Sequence, residues 1–218
     1  MIQKIVLRDQ ISIWLQEQML SGKIKNGQKL SLVEISNDVN VSVTPIREAL
    51  SQLARAGIVE SISNRGFFVP KLSAKEAKDI YPAIYSLEKL AIEQSQFSEQ
   101  QLKKLRQAEK KFEKASSRQD AVRYDLKFHE ILIEGYENEV VKNILSDLKI
   151  RVFFYELEYM QSENFKKSID GHKKLIEALE DGKIKKASLL LQENWEISAE
   201  FIKKYYSEEA GQSRDKWK

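Results

Sequence analysis

The feature that most constrains this chain is Pro45, inside "VSVTPIREAL" at residues 41–50. The spacing of Ile46, Ala49, Leu50 and Leu53 is that of a helix with one buried face. A proline in the interior of such a helix lacks the N–H for its ladder bond and clashes with the preceding turn, at a cost of about 3 kcal/mol. The conflict disappears if the helix starts here. With Ser42 as the N-cap, Val43, Thr44 and Pro45 become the first three helical positions, whose N–H groups have no intrahelical partner. Ile46, Ala49, Leu50 and Leu53 then face inward. Val43, Thr44, Arg47 and Ser51 face away, and Gly57 closes the helix.

The neighbouring segments extend this into a unit. "VLRDQISIWLQEQMLSGKI" carries Leu7, Ile11, Trp14, Leu15, Gln18 and Met19 at helical spacing and ends at Gly22. "KNGQKL" is a turn around Asn26-Gly27. "SLVEISNDV" opens with Ser31 three residues before Glu34, the pattern of a capping box. Asn40 tolerates the left-handed conformation that a tight helix–helix turn needs. After Gly57, the runs Ile58–Ser61 and Phe67–Val69 flank "SNRG" and predict a β-hairpin. Helix, helix, tight turn, helix, hairpin is the order of a winged helix-turn-helix, predicted for residues 1–70.

Beyond Pro70 no glycine occurs until Gly135. The pattern predicts six helices over roughly 73–95, 98–115, 119–135, 138–161, 163–181 and 184–207, with Ser73/Glu76 and Ser98/Gln101 as further capping boxes. The expected fold is mainly α: a winged helix-turn-helix followed by a six-helix antiparallel bundle over residues 71–218. Charge runs such as "KKLRQAEKKFEK" are expected to be solvated helix faces.

The 218 residues include 36 Lys+Arg against 33 Asp+Glu, so any nucleic-acid binding must come from local placement of charge. There is no cysteine, which excludes disulfides and thiolate zinc sites. No apolar run approaches the ~20 residues of a membrane span, and the N-terminus lacks a signal-peptide pattern. The expectation is a cytoplasmic protein with no membrane partner.

In helix-turn-helix proteins the second helix of the motif enters the major groove, and its first residues reach base edges. Here those are Val43, Thr44 and Arg47. An arginine bonds guanine bidentately, and the Ser42 and Thr44 hydroxyls suit phosphate contacts. Arg65, followed by Gly66 at the wing tip, is placed for an adjacent groove or backbone. The bland alternative makes Arg47 a solvated partner of Glu48 or Glu34.

"VSVTPIREALSQLARAGIVESISNRGFFV" resembles the signature of GntR-family bacterial transcription regulators. The elements that carry the likeness are Ser42, Thr44, Pro45, Arg47, Glu48, Ala49, Leu50, Leu53, Gly57, Arg65, Gly66 and Val69. A base-reading arginine is common after the serine in that family; here Val43 stands there, and valine can touch a thymine methyl but not bond guanine. The C-terminal part resembles the FCD effector domain of the FadR subfamily, at the shorter VanR-like length. "YDLKFHEIL" supplies Asp125 and His129 at i,i+4, and "DGHKKLIEALEDGKIKKA" supplies His172 and Ala187. Where the family usually has a further histidine, this chain has Asn194.

The resemblance implies a site for a divalent transition metal (zinc, nickel or manganese) at Asp125, His129 and His172, with Asn194 as a weak carbonyl ligand or a hydrogen-bonding partner of an organic effector. Both histidines can equally be core residues bonded to polar neighbours. The family's effector-binding arginine is replaced by Ile84, which favours an apolar or amphipathic small-molecule effector over a small carboxylate. Tyr81, Tyr85, Phe128 and Tyr155 are candidates to line its pocket, or plain core. The expected protein is a non-enzymatic, metabolite-responsive repressor that binds a palindromic double-stranded DNA operator as a homodimer. Two alternatives stay open: a DNA-binding dimer without effector, and a metal-dependent hydrolase with a DNA-binding appendage. Against the latter stand the lack of an adjacent His-Asp pair and of a glutamate placed beside the ligands by any motif.

Overall fold

The computed structural model describes residues 7–162 and 165–215, with side chains of 7–162 and 165–207. The start of the first predicted segment at Val6 and the predicted helix start at 163 lie outside the described residues. The chain divides into two compact units, Met1–Lys71 and Leu72–Lys218.

In the first unit, α1 (Leu7–Leu20), α2 (Leu32–Val39) and α3 (Val43–Arg55) surround a core of Ile11, Leu15, Met19, Ile35, Ile46, Ala49, Leu50 and Leu53. Leu7, at the start of the first apolar stripe, is 45% exposed and stays outside that core. Ser31 accepts a hydrogen bond from the Glu34 N–H, and Asn40 adopts φ 52°, ψ 46°. That left-handed residue turns the chain within three residues from the end of α2 to the start of α3. Pro45 is the third residue of α3, inside the first turn, so no bonded N–H is lost. Ser42 is the N-cap by backbone conformation, but its side chain makes no capping bond.

The hairpin is β2 (Glu60–Ile62) and β3 (Gly66–Phe68), antiparallel, with Ile62 opposite Gly66. Asn64 (φ 59°) and Gly66 (φ 97°) take the positive φ that its short turn demands. "KNGQKL" is more than a turn. Its last two residues form β1 (Lys29–Leu30), paired antiparallel with β3, in the order β1-β3-β2. The Val69 N–H also bonds the Gln28 carbonyl at 2.9 Å. Two residues are too few for a period-2 pattern, so this strand carries no signal in the sequence.

The second unit is a bundle of α4 (Ala74–Glu93), α5 (Glu99–Glu113), α6 (Arg118–Leu132), α7 (Glu139–Tyr159), α8 (Phe165–Glu180) and α9 (Ile184–Asp215). Most of its helices begin on a side-chain cap: Ser73, Ser98, Ser117 and Asn138 each accept from a backbone N–H three residues on. α9 packs along α4 and α8, while α5 packs on α6 and α8. α9 also runs past the expected end at 207 and through Gly211, because one glycine costs only about 1 kcal/mol. Pro82 lies inside α4, where the helix continues without the bond its N–H would make. Among the described residues no helix is long and apolar enough to cross a membrane.

Candidate functional site

Two groups of side chains stand out, one in each unit. In the first, α3 divides sharply. Ile46, Ala49, Leu50 and Leu53 are buried, while Ser42, Thr44 and Arg47 are exposed and Val43 is half-buried. Arg47 therefore leaves the N-terminal part of α3, as its fifth residue, on the face opposite the core. The Ser42 hydroxyl makes no capping bond and is free for another acceptor or donor. At the wing tip Arg65 and Gly66 are exposed, and the Arg65 guanidinium lies 5.7 Å from the centre of the Phe68 ring. That cation–π contact holds a long side chain at the hairpin end.

In the second unit, α6 and α8 bring Asp125, His129 and His172 together. Each offers one ligand atom, and these atoms all lie within 4.8 Å of one another, in buried side chains. Asp125 and His129 share a face of α6 because they are four residues apart. Across from them, His172 Nε2 is 3.5 Å from Asp125 Oδ1. Asn194, on α9, places Nδ2 3.3 Å from the same Nε2. The four residues singled out in the sequence thus form one cluster.

The outer nitrogens explain the orientation of both rings. His129 Nδ1 is 2.8 Å from Glu88 Oε2, and His172 Nδ1 is 2.9 Å from Glu109 Oε2. A carboxylate can only accept, so each ring donates through Nδ1–H and keeps its Nε2 lone pair for the site. This is the arrangement that orients histidines toward a metal. Burial pushes the His129 pKa down to about 4 against the opposing pull of Glu88, so the ring is neutral near pH 7. His129 Nε2 and Asn194 Oδ1 are buried without a hydrogen-bond partner. Orphaned acceptors of this kind are costly unless something binds them.

Charge adds to the argument. Glu88, Glu109, Asp125 and Glu156 are buried in this unit, against Lys149 as the one buried Lys or Arg among the described residues. Lys149 Nζ lies 2.6 Å from Glu88 Oε1, and Trp195 Nε1 donates to Glu88 Oε2 at 2.7 Å. Burial raises Glu88, but His129 and Lys149 outweigh it and hold the carboxyl down to about 2. Asp125 is raised well above the usual carboxylate range by burial, then by Glu156, Glu109 and Glu88. Burial likewise pushes Glu156 up to about 7, against hydrogen bonds from Tyr81 and Ser198. The donor set of one carboxylate and two imidazoles, in an acid-rich interior, suits a divalent transition metal.

Of the aromatic candidates, Phe128 stacks on His172 with ring centres 3.9 Å apart. Tyr81 and Tyr155 are fully buried and touch edge to face at 6.3 Å. Tyr85 is only half-buried. Ile84 is fully buried, in the stripe of Ile80, Tyr81, Glu88 and Ala91.

Sequence reasoning missed Glu88, Glu109, Lys149, Glu156 and Trp195. The reading of "KKLRQAEKKFEK" as a solvated face needs correcting at Glu109, which is 4% exposed. A signal existed: Glu109 follows Leu105 by four residues and precedes Phe112 by three, so it lies on the inward stripe. Glu88 had the same signal, four residues after Ile84 and four before Ile92.

The chain matches known proteins in both parts. The pattern described as bacterial regulatory proteins, gntR family, matches residues 7–69, and that of the FCD domain matches residues 79–196. Over 170 residues the chain is 27% identical to the uncharacterized HTH-type transcriptional regulator YdhC of Bacillus subtilis (strain 168), covering 75% of this chain and 76% of that one. It is 28% identical over 189 residues to the gluconate operon transcriptional repressor of the same organism, covering 82% and 76%. Among solved structures, E. coli McbR/YncC superposes with a TM-score of 0.78 at 19% identity, over 93% of this chain and 99% of that one. A putative transcriptional regulator GntR from Rhodococcus sp. RHA1 gives 0.76 at 17% identity, over 89% and 96%. At these identities the likeness to the solved structures speaks for the fold.

Proposed function

Because the chain belongs to the gntR family of bacterial regulatory proteins with an FCD domain, and is a DNA-binding transcriptional regulator, we propose that it reads a two-fold operator as a homodimer under control of a ligand at the Asp125–His129–His172 site. The observation that carries the DNA half is the exposure of Arg47 near the N-terminus of α3, opposite the buried stripe. In this reading Arg47 bonds a base edge, Thr44 and Val43 flank it, Ser42 holds a phosphate, and Arg65 beside Gly66 contacts the neighbouring backbone or groove. Two heads would meet half-sites about 34–36 Å apart. The exposed Val140 and Ile144, one turn apart on α7, support a contact between copies. Repression, rather than activation, is argued by likeness to the Bacillus subtilis gluconate operon transcriptional repressor.

For the effector unit, Asp125, His129 and His172 would hold a divalent transition metal, with the Asn194 carbonyl as a further oxygen donor. A bound metal would supply positive charge to the acidic interior and a Lewis-acid point for a small-molecule effector. Glu88 and Glu109 keep both imidazoles in the ligating tautomer, and Phe128 fixes the plane of His172. Tyr81, Tyr85 and Tyr155 are the apolar walls of this reading, and Ile84 in place of a cationic side chain disfavours a simple carboxylate. The orphaned His129 Nε2 and Asn194 Oδ1 favour a ligand-bound site over an effector-free dimerisation module. The family speaks against a hydrolase.

Selection of bound DNA from a random pool, followed by gel shift at physiological salt, tests the first half. Enrichment of an inverted repeat is expected, and no preference over competitor DNA would sink it. Metal analysis of the purified protein and titration with zinc or manganese test the second.

A further inference from the structure

The strongest unexplained feature of the second unit is the route from the Asp/His cluster to the place where the unit begins. His129 meets Trp195 with ring centres 4.4 Å apart, Trp195 meets Tyr81 at 6.0 Å, and Tyr81 meets Tyr155 at 6.3 Å. All four side chains are essentially without solvent exposure. The Tyr155 hydroxyl then accepts the Ser73 N–H at 2.9 Å, and lies 2.8 Å from Glu76 Oε2 and 3.1 Å from the Ser73 carbonyl. Ser73 is the N-cap of α4, two residues after the chain leaves the first unit at Lys71.

The local chemistry is unusual for a Ser-x-x-Glu start. In a capping box the glutamate side chain returns to the N-cap N–H. Here Ser73 accepts from the Glu76 N–H at 3.1 Å, but the reciprocal arm is supplied by Tyr155 of α7. Glu76 is instead turned to Tyr155 and Arg151, both on α7. The N-cap of α4 is therefore held by a different helix, one whose tyrosine abuts the ring chain from the cluster.

Resting on the Asp125–His129–His172 reading, we infer that Tyr155 transmits occupancy of that cluster to the start of α4 and so to the DNA-binding unit. A ligand that draws His129 moves Trp195, which is also tied to Glu88. In a close-packed interior the next rings cannot absorb the shift without moving. The movement ends at a hydroxyl that fixes the Ser73 backbone. Tyr155 is a positioning residue in this scheme, and it is not one of the residues that would hold the metal.

The test uses the full chain and DNA recovered by selection. Operator affinity is measured with and without zinc or manganese for the wild type, Tyr155→Phe and Tyr136→Phe. The control removes a hydroxyl that bonds Gln94 at 3.2 Å, away from this route. The wild type should change operator affinity at least fivefold on metal binding. Tyr155→Phe should change it less than twofold while its metal Kd stays within about threefold of the wild type, and Tyr136→Phe should respond as the wild type does. A full response in Tyr155→Phe overturns the proposal. So does a wild type that binds metal with no change in operator affinity. A wild type that binds neither metal removes the cluster reading itself, and this inference with it. Amide exchange needs no substitution and gives a second reading: the Ser73 N–H should exchange at least fivefold more slowly with metal, and an unchanged rate counts against the route.

Discussion

His172 and Glu109, sixty-three residues apart, meet through a 2.9 Å contact between Nδ1 and Oε2 in the interior of the second unit. The carboxylate decides which nitrogen of the ring faces Asp125. Glu109→Gln leaves an acceptor in place but also offers an amide donor, so the tautomer is no longer fixed. Loss of such an outer partner typically weakens metal binding about 10–100-fold. Competition titration with zinc should show a loss in that range, with little change in operator affinity measured without metal.

Arg47 is exposed near the N-terminus of α3. Arg47→Ala should cost about 1–3 kcal/mol on the selected operator and relax preference at one base position in each half-site. A uniform loss across sequences would instead make Arg47 a phosphate contact. Because the side chain packs on nothing in the core, thermal stability should stay within about 0.5 kcal/mol of the wild type.

Glu156 is 1% exposed, and burial pushes its pKa up to about 7. The folded state favours the neutral acid. Its contribution is therefore fully present below the ordinary glutamate pKa and is lost as pH rises through about 7. Glu156→Gln keeps an acceptor for the Tyr81 hydroxyl, which now lies 2.6 Å from Oε1. The variant should match the wild type near pH 5 and be more stable by about 1–3 kcal/mol at pH 8. Urea unfolding at the two pH values measures this. His129, lowered to about 4, works in the opposite sense as pH falls below 6.5, and because it is present in both proteins its contribution cancels in the difference, which reports Glu156 together with its effect on Asp125.

A Cβ on Gly171 would stand 2.7 Å from Asn194 Oδ1. Gly171 lies within α8, where alanine gains about 1 kcal/mol of helix propensity. The buried amide must move, and overpacking costs about 1–3 kcal/mol. Gly171→Ala should therefore be no more stable than the wild type, and should bind metal more weakly because Asn194 is displaced. A clear gain in stability with unchanged metal affinity would show that Asn194 swings aside freely and is no ligand.

Much of the fold was legible because it rests on local rules. Ser31, Ser73 and Ser98 cap helices where their spacing predicted, Asn40 takes the left-handed turn, and Pro45 starts α3. The α6 pair, Asp125 and His129, was legible because i,i+4 spacing fixes a shared face. β1 was not legible: its two residues become a strand only because β3 offers an open edge. The helix predicted over 73–95 does run through Pro82 as α4, since its apolar stripe continues on both sides of the proline. Glu88 and Glu109 lie on the inward stripes of their helices, so their burial was legible, but nothing local indicates that each would face a histidine on another helix.

By itself, the sequence determined where helices start, which stripes turn inward, and which unit presents Arg47. Those outcomes depend on bonds and contacts spanning three or four residues. Only the tertiary structure decided the second partner of each polar side chain. Gln101, three residues after its cap, sends Nε2 to the Ile131 carbonyl at 2.9 Å, and Glu76 turns to Tyr155. A buried polar atom must find a partner wherever the packing of other helices supplies one, and that choice is made across distances the chain's local order does not encode.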